Sequence, residues 1–319
     1  MPRAPRLLIP LALSLTLVLA GCGQDETDAS SADGSASPSP SESAAAFPVT
    51  VDTPTGEVTI EEEPERIVSL SPSATEILFA IGAGDQVEAA DSFSTYPEEA
   101  PTTDLSGFEP NVEAVAGYQP DLVVIANDAN DLVASMEELD IPVLLNPAPA
   151  TIEEGYDGMA ALGLATGHPD ETAALVSDLR SQIDDALAQA PDEAVRVYHE
   201  LDDTYYSASS SSFIGDVYAQ MGAENIADAA DKSGSGYPQL TEEAIIEADP
   251  QLIVITDQVG YTAEDVANRP GWGDITAVEN GDIVTVDADV ASRWGPRLPQ
   301  LVSAVAEAMT SAAAGVPAG

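Results

Sequence analysis

Asn111-Val112-Glu113-Ala114-Val115-Ala116-Gly117-Tyr118-Gln119-Pro120-Asp121-Leu122-Val123-Val124-Ile125 reads as a short helix running into a buried strand. The helix must stop before Pro120, because the residue ahead of a proline is pushed out of the helical region. Asp121 to Ile125 then has the length and β-branched content of a strand covered on both faces. The unit recurs 130 residues later. Aligning Asn111–Ile125 with Thr241–Ile255 gives identities at Glu113/Glu243, Ala114/Ala244, Pro120/Pro250, Leu122/Leu252, Val124/Val254 and Ile125/Ile255, with two Val/Ile exchanges at other apolar positions. A second echo pairs Ile81-Gly82-Ala83 with Met221-Gly222-Ala223, each closing a predicted helix. Two copies of one α/β unit, each too long for a solenoid repeat, imply two similar lobes.

Upstream, Val49 to Glu61 has the Val/Thr/Ile pattern of a hairpin, and Arg66-Ile67-Val68-Ser69-Leu70 reads as the first core strand. A helix follows, with Pro72 in its first turn, Ser73-Ala74-Thr75-Glu76 in the pattern of a capping box, and Ile77, Leu78 and Ile81 as its apolar face. Between the two copies, Asp170 to Ala190 carries Ala174, Leu175, Leu179, Ile183 and Leu187 at helical spacing. At 1.5 Å per residue such a helix reaches roughly 30 Å, enough either to join the lobes rigidly or to pack along one of them. Val195 to Leu201 restarts the strand pattern, and the second lobe runs to about Thr310.

The 319 residues contain 56 Asp plus Glu against 9 Lys plus Arg, a formal charge of −47. A polyanion of this strength is repelled by nucleic acid and by anionic lipid alike. Arg3 and Arg6 precede an apolar run, Leu7 to Ala20, that is too short for a stable span and reads as an export signal. It ends in Leu19-Ala20-Gly21-Cys22, which has the form of a bacterial lipobox; the other reading is an incidental cysteine after an ordinary signal. Gly23 to Phe47 is a Gly/Ser/Ala/Asp/Glu/Pro tether. Cleavage after residue 21 would move the charge to −49, so a covalent lipid on Cys22 is the anchor such a surface needs.

Catalytic patterns are absent: no nucleophile elbow, no phosphate-binding glycine loop, no zinc-protease helix. The two histidines, His168 in a turn and His199 in a strand, read as structural, and Ser207 to Ser212 as a polar loop. No enzyme, resident cofactor or metal site is expected. Phe93, Tyr96, Phe108, Tyr205, Tyr206, Tyr237, Trp272 and Trp294 fall mostly in loops after predicted strands, where open α/β sheets form their ligand crevice. Arg293 and Arg297 are conspicuous in a chain with so few cations, and point either to an anionic or amide partner or to an ion pair with Asp287 or Asp289.

Arg66 to Glu76, the lobe-to-lobe echo, Met221-Gly222-Ala223-Glu224-Asn225-Ile226 and the long helix together resemble the helical-backbone (class III) substrate-binding proteins of ABC importers for cobalamin, haem and ferric siderophores. The resemblance covers roughly Glu57 to Thr310, and lipobox plus linker is the usual Gram-positive form. Ser92-Phe93-Ser94-Thr95-Tyr96-Pro97, Tyr237-Pro238-Gln239 and Asp289…Arg293…Pro296-Arg297 bring it closest to the cobalamin-binding branch. It implies an α/β fold of two Rossmann-like lobes joined by one long backbone helix. The divisions are then signal peptide 1–21, linker 22–48, N-terminal lobe 49–168, helix 169–190 and C-terminal lobe 191–312.

The resemblance also implies a ligand cleft with Phe93, Tyr206 and Tyr237 as aromatic walls, joined by Tyr96, and with Asp289 and Arg293 on the polar edges. Phe108 stands one residue out of register with a family tryptophan, and Asn127 occupies a wall position that is aromatic in the cobalamin binder. Glu113 and Glu243 fall where each lobe presents a glutamate to the permease dimer; in so acidic a chain either is also read as a solvated helix charge. The expectation is a monomeric, lipid-anchored protein on the extracytoplasmic face that carries a corrinoid to its permease. Ferric siderophore or haem is the alternative, and a secreted metal-ion receptor or enzyme of two-lobe form is the rival from another class. Because the connecting helix resists hinge motion, only modest closure on binding is expected.

Overall fold

The computed structural model describes residues 46–315. The predicted signal peptide 1–21, Cys22 and the linker as far as residue 45 lie outside the described residues. The hairpin is β1 (Val49–Thr53) and β2 (Gly56–Ile60), antiparallel with Val49 opposite Ile60. Phe47, at the end of the predicted linker, already packs on the core.

Two four-stranded parallel sheets follow. The first contains β3 (Ile67–Leu70), β4 (Val87–Ala90), β5 (Leu122–Ile125) and β6 (Val143–Leu145), in the order β4-β3-β5-β6. The second contains β7 (Arg196–His199), β8 (Glu224–Asn225), β9 (Leu252–Thr256) and β10 (Ile283–Val286), in the order β8-β7-β9-β10. The orders are the same, as the sequence echo requires. Helices fill the connections: α1 (Pro72–Ala80), α2 (Val112–Ala116) and α3 (Leu132–Glu137) in the first lobe, then α4 (Ile152–Thr166) and α5 (Pro169–Leu187) between the sheets. The second lobe has α6 (Phe213–Gln220), α7 (Glu242–Ala248), α8 (Ala263–Ala267), α9 (Thr276–Asn280) and α10 (Ala288–Ser292), and α11 (Leu298–Ala314) ends the described chain.

The echo holds in local detail. Asn111 caps α2 through Ala114 N at 2.9 Å, and Thr241 caps α7 through Ala244 N at 3.2 Å. Gln119 and Asp249, each ahead of a buried proline, both take the left-handed conformation, with φ of 53° and 48°. Alternate residues of the two strands then face opposite layers. Leu122, Val124, Leu252 and Val254 enter one apolar cluster common to both sheets, while Val123 and Ile125, and Ile253 and Ile255, enter clusters private to each lobe.

Helix α5 runs through the common cluster, buttressed by α4 and α11. Its buried Leu179 and Ile183 each contribute about 1.5–3 kcal/mol. The predicted 170–190 helix ends at Leu187 because Gln189 and Ala190 bond back three residues, to Ala186 and Leu187, and tighten the last turn. One local expectation fails. No capping box forms at Ser73–Glu76, because Ser71 is the N-cap, its hydroxyl accepting from Ala74 N at 3.3 Å. Glu76 is thereby released for a partner elsewhere.

Candidate functional site

The carboxyl ends of the first sheet open onto a cavity of about 510 Å³. Leu70 to Ser73 come from the end of β3, Asp91 and Phe93 from β4, Ala126 and Asn127 from β5, and Ala148 from β6. The second lobe supplies Gln258 after β9 and, through α10, Asp289, Ser292, Arg293 and Trp294. Loops at the carboxyl ends of parallel strands are where open α/β sheets bind ligands. Phe93 and Phe108 meet edge to face, centroids 5.8 Å apart, and yet remain 53% and 69% exposed. Large apolar rings left open together in a concave site mark a surface that a ligand covers.

Gly107 sets Phe108 in place. A β-carbon there would stand 2.3 Å from the Leu70 carbonyl oxygen and 3.1 Å from Asp91 Oδ2, so the loop crosses the end of β3 with no room for a side chain. Gly107→Ala is expected to cost about 1–3 kcal/mol and to shift Phe108 away from Phe93. Paired denaturation and ligand titrations check this; unchanged stability together with unchanged affinity would show that the close approach does not matter.

Charge is held tightly around the cavity. Arg293 donates to Glu76 Oε1 at 2.8 Å and to the Phe93 carbonyl at 3.0 Å, and pairs with Asp289 at 2.9 Å. Arg297 donates to both oxygens of Glu76, at 2.9 and 2.6 Å. The Glu76 carboxylate of α1 is fully buried and is shared by two arginines of the second lobe, with Asp289 supplying a second negative charge. Of the two acids read from sequence as partners for these arginines, Asp289 pairs with Arg293; Glu76 takes one contact from Arg293 and two from Arg297. Burial pushes the Asp91 carboxyl above the ordinary range, against a 2.7 Å hydrogen bond from Ser94 and the Arg293 charge. Gln258 Nε2 reaches Asp289 at 3.4 Å.

The other expected aromatics are placed differently. Tyr96 lies under the Arg297 guanidinium, 4.5 Å from its ring centroid, and does not line the cavity. Tyr206 and Tyr237 are exposed on neighbouring second-lobe loops, where Tyr206 bridges to Gln239, and do not border it either. Trp272 and Tyr205 belong to the second lobe's own packing. There Arg269 forms a bidentate pair with Glu200, both contacts 2.6 Å, and Tyr261 donates to the same carboxylate. Glu113 and Glu243 are exposed at equivalent positions in the first turns of α2 and α7.

A larger open groove, about 700 Å³, lies by the hairpin at the amino ends of β5 and β6, walled by Glu57, Glu61, Glu63, Asp121 and Glu137. Its carboxylate walls suit an apolar ligand poorly. Among the described residues, no group of three or more His, Cys, Asp or Glu is disposed to hold a metal ion. Sequence reasoning missed Glu76, Asp91 and Gln258. Two arginines close together in a cation-poor chain did announce an acid partner, but not which of the 56 acids it would be.

The pattern described as periplasmic binding protein matches residues 67–290. An uncharacterized ABC transporter substrate-binding lipoprotein of Bacillus subtilis is 34% identical over 275 residues, covering 82% of this chain and 86% of the relative. A cobalamin-binding protein of Halobacterium salinarum is 33% identical over 275 residues, covering 82% and 74%. Among solved structures, a possible iron-binding, periplasmic solute-binding protein from Staphylococcus epidermidis superposes with a TM-score of 0.68 at 25% identity, covering 78% of this chain and 99% of that one.

Proposed function

The chain belongs to the periplasmic binding protein family, as a solute-binding protein of ABC transport, and we propose that its cargo is a corrinoid held in the cavity between the two sheets. Members of the family are substrate-binding transport proteins, and on this reading the chain makes and breaks no bond. The observation that carries the proposal is the wall chemistry. Phe93, Phe108 and Trp294 offer apolar faces from both lobes, while Asp91, Asp289, Arg293 and Gln258 place a few fixed polar groups among them. A broad, partly apolar macrocycle with polar edges fits that division. The relative described as cobalamin-binding, alike over most of this chain, supports the same cargo.

Delivery then needs a place on the membrane. The protein acts outside the cytoplasm, and we assign its attachment to a lipid on Cys22, in keeping with the lipoprotein from Bacillus subtilis. Glu113 and Glu243 are the proposed contacts with the permease. Acting as a monomer, the protein would meet a two-fold partner with one matching carboxylate on each lobe.

An iron chelate is the second reading, favoured by the iron-binding description of the Staphylococcus epidermidis structure. Titration with cyanocobalamin, cobinamide, haem and a ferric siderophore panel separates the two, read from the fluorescence of Trp294 in the cavity wall. Saturable one-to-one quenching by the corrinoids is expected. Tight binding of an iron chelate with no response to any corrinoid would overturn the assignment.

A further inference from the structure

His199 closes β7 with its side chain buried, and its two ring nitrogens differ. Nδ1 shares a 2.7 Å hydrogen bond with the Tyr218 hydroxyl of α6, whereas Nε2 has no partner. Buried nitrogens without a partner are rare in folded proteins. The imidazole forms one wall of a side cavity of about 270 Å³, whose other walls include Leu201, Ile214, Val259, Ala288 and Ala291. Gln258 and Ser292 border this cavity and the main one alike, so the two adjoin.

Its position is not arbitrary. The side cavity sits at the carboxyl ends of β7 and β9, where the strand order of the second sheet reverses, which is the ligand position in open α/β sheets. By register His199 pairs with Val254 as Ser69 pairs with Val124. Ser69 is satisfied: its hydroxyl accepts from Thr75 at 2.8 Å and donates to the Ser71 carbonyl at 3.3 Å. At this position the polar group of the first copy is satisfied, whereas the second copy buries a ring nitrogen without a partner.

We propose that the side cavity is a subsite for one uncharged hydrogen-bonding arm of the chelate, a primary carboxamide, recognised by His199 Nε2. The inference rests on the chelate-binding reading above. Leu201, Ile214, Val259, Ala288 and Ala291 outweigh the neutral polar Thr256, Gln258 and Ser292 along its walls, so a carboxylate arm would give up part of its hydration and need a cation in exchange. None is free. Burial pushes His199 down to about 4, leaving it neutral near pH 7, and the neighbouring Arg293 is already engaged by Glu76 and Asp289. A carboxamide carries both a donor and an acceptor and so satisfies Nε2 in either imidazole tautomer. The subsite therefore favours a macrocycle with amide arms, such as a corrinoid, over one with acid arms, such as haem.

Cyanocobalamin and its monocarboxylic acids, each with one peripheral amide hydrolysed, are the probes. Wild-type protein is expected to bind cyanocobalamin at least tenfold more tightly than one of these acids. His199→Leu should weaken cyanocobalamin about tenfold, and His199→Gln, which restores a neutral hydrogen-bonding atom near the Nε2 position, should recover most of the loss. Ala288→Leu, which narrows the cavity without touching the Tyr218 pair, should weaken it as well and stands as the test if His199→Leu does not fold. If the wild type binds cyanocobalamin but neither His199→Leu nor Ala288→Leu changes its affinity, the subsite is wrong and the function stands; equal affinity for the amide and every acid is equally fatal. If the wild type binds no corrinoid, the functional reading fails and takes this inference with it.

Discussion

Glu76→Ala is expected to lower stability by about 3–5 kcal/mol, because it leaves two buried arginines without the anion they share. The Arg293 and Arg297 side chains are 8% and 14% exposed, and three of their N–H groups converge on the Glu76 oxygens. Water cannot readily replace that carboxylate, and Asp289 covers only one of the two cations. Over a unit of this size the loss corresponds to a fall in Tm of roughly 10 °C. Breaking the exposed Arg180–Glu153 pair, at 2.5 Å, is the control, and should cost no more than about 1 kcal/mol despite its short contact. Glu76 also joins the first lobe to the second, so the variant should show a larger change in scattering radius on ligand binding than the modest one expected of the wild type. Equal denaturation midpoints for Glu76→Ala and wild type would show that this ion cluster does not stabilise the fold.

Replacing Glu113 and Glu243 together should abolish uptake and leave ligand affinity unchanged. Among the described residues neither side chain has a hydrogen-bonding or ionic partner, and both project from first helical turns outside the cavity. Their local contribution is limited to the helix dipole, about 0.3–1 kcal/mol each, so folding should survive. If each lobe docks through its own carboxylate, each single replacement should give an intermediate loss. Transport measured in cells or vesicles, beside ligand titration of the purified double variant, separates docking from binding. Full uptake by the double variant would reassign both residues to the solvated surface.

Much of this architecture was legible because its signals are local and repeated. The 111–125 and 241–255 segments show their helix, proline break and buried strand within fifteen residues, and the structure returns them with the same caps and the same left-handed residue before the proline. Glu76 was misread for the opposite reason. Three residues after a serine it fits a capping pattern, but its partners lie 217 and 221 residues away in the other lobe, a separation that no local pattern reports. Tyr96 shows the same limit: its place in a loop after a strand was legible, its engagement by Arg297 was not. Asp91 and the unpartnered nitrogen of His199 became visible only once packing fixed what surrounds them.

The scarcity of cations gains meaning from the fold. Arg180, Arg196, Arg269, Arg293 and Arg297 all pair with acids, and Arg66 donates to the Tyr118 carbonyl, so each ties together segments distant in sequence. In so acidic a chain the few arginines are spent on fastening the structure, and Arg293 does so at the edge of the ligand cavity. Around the cavity that leaves aromatic faces and neutral or shared polar groups, in keeping with the uncharged, amide-bearing cargo proposed above.

Crystals of the protein grown with cyanocobalamin would show where the corrinoid sits. Electron density is expected for one corrinoid between Phe93 and Phe108 on one side and Trp294 and Arg293 on the other, at the carboxyl ends of the first sheet. An empty cavity in protein that binds the corrinoid elsewhere, or crystals that take up an iron chelate there and exclude cyanocobalamin, would contradict it.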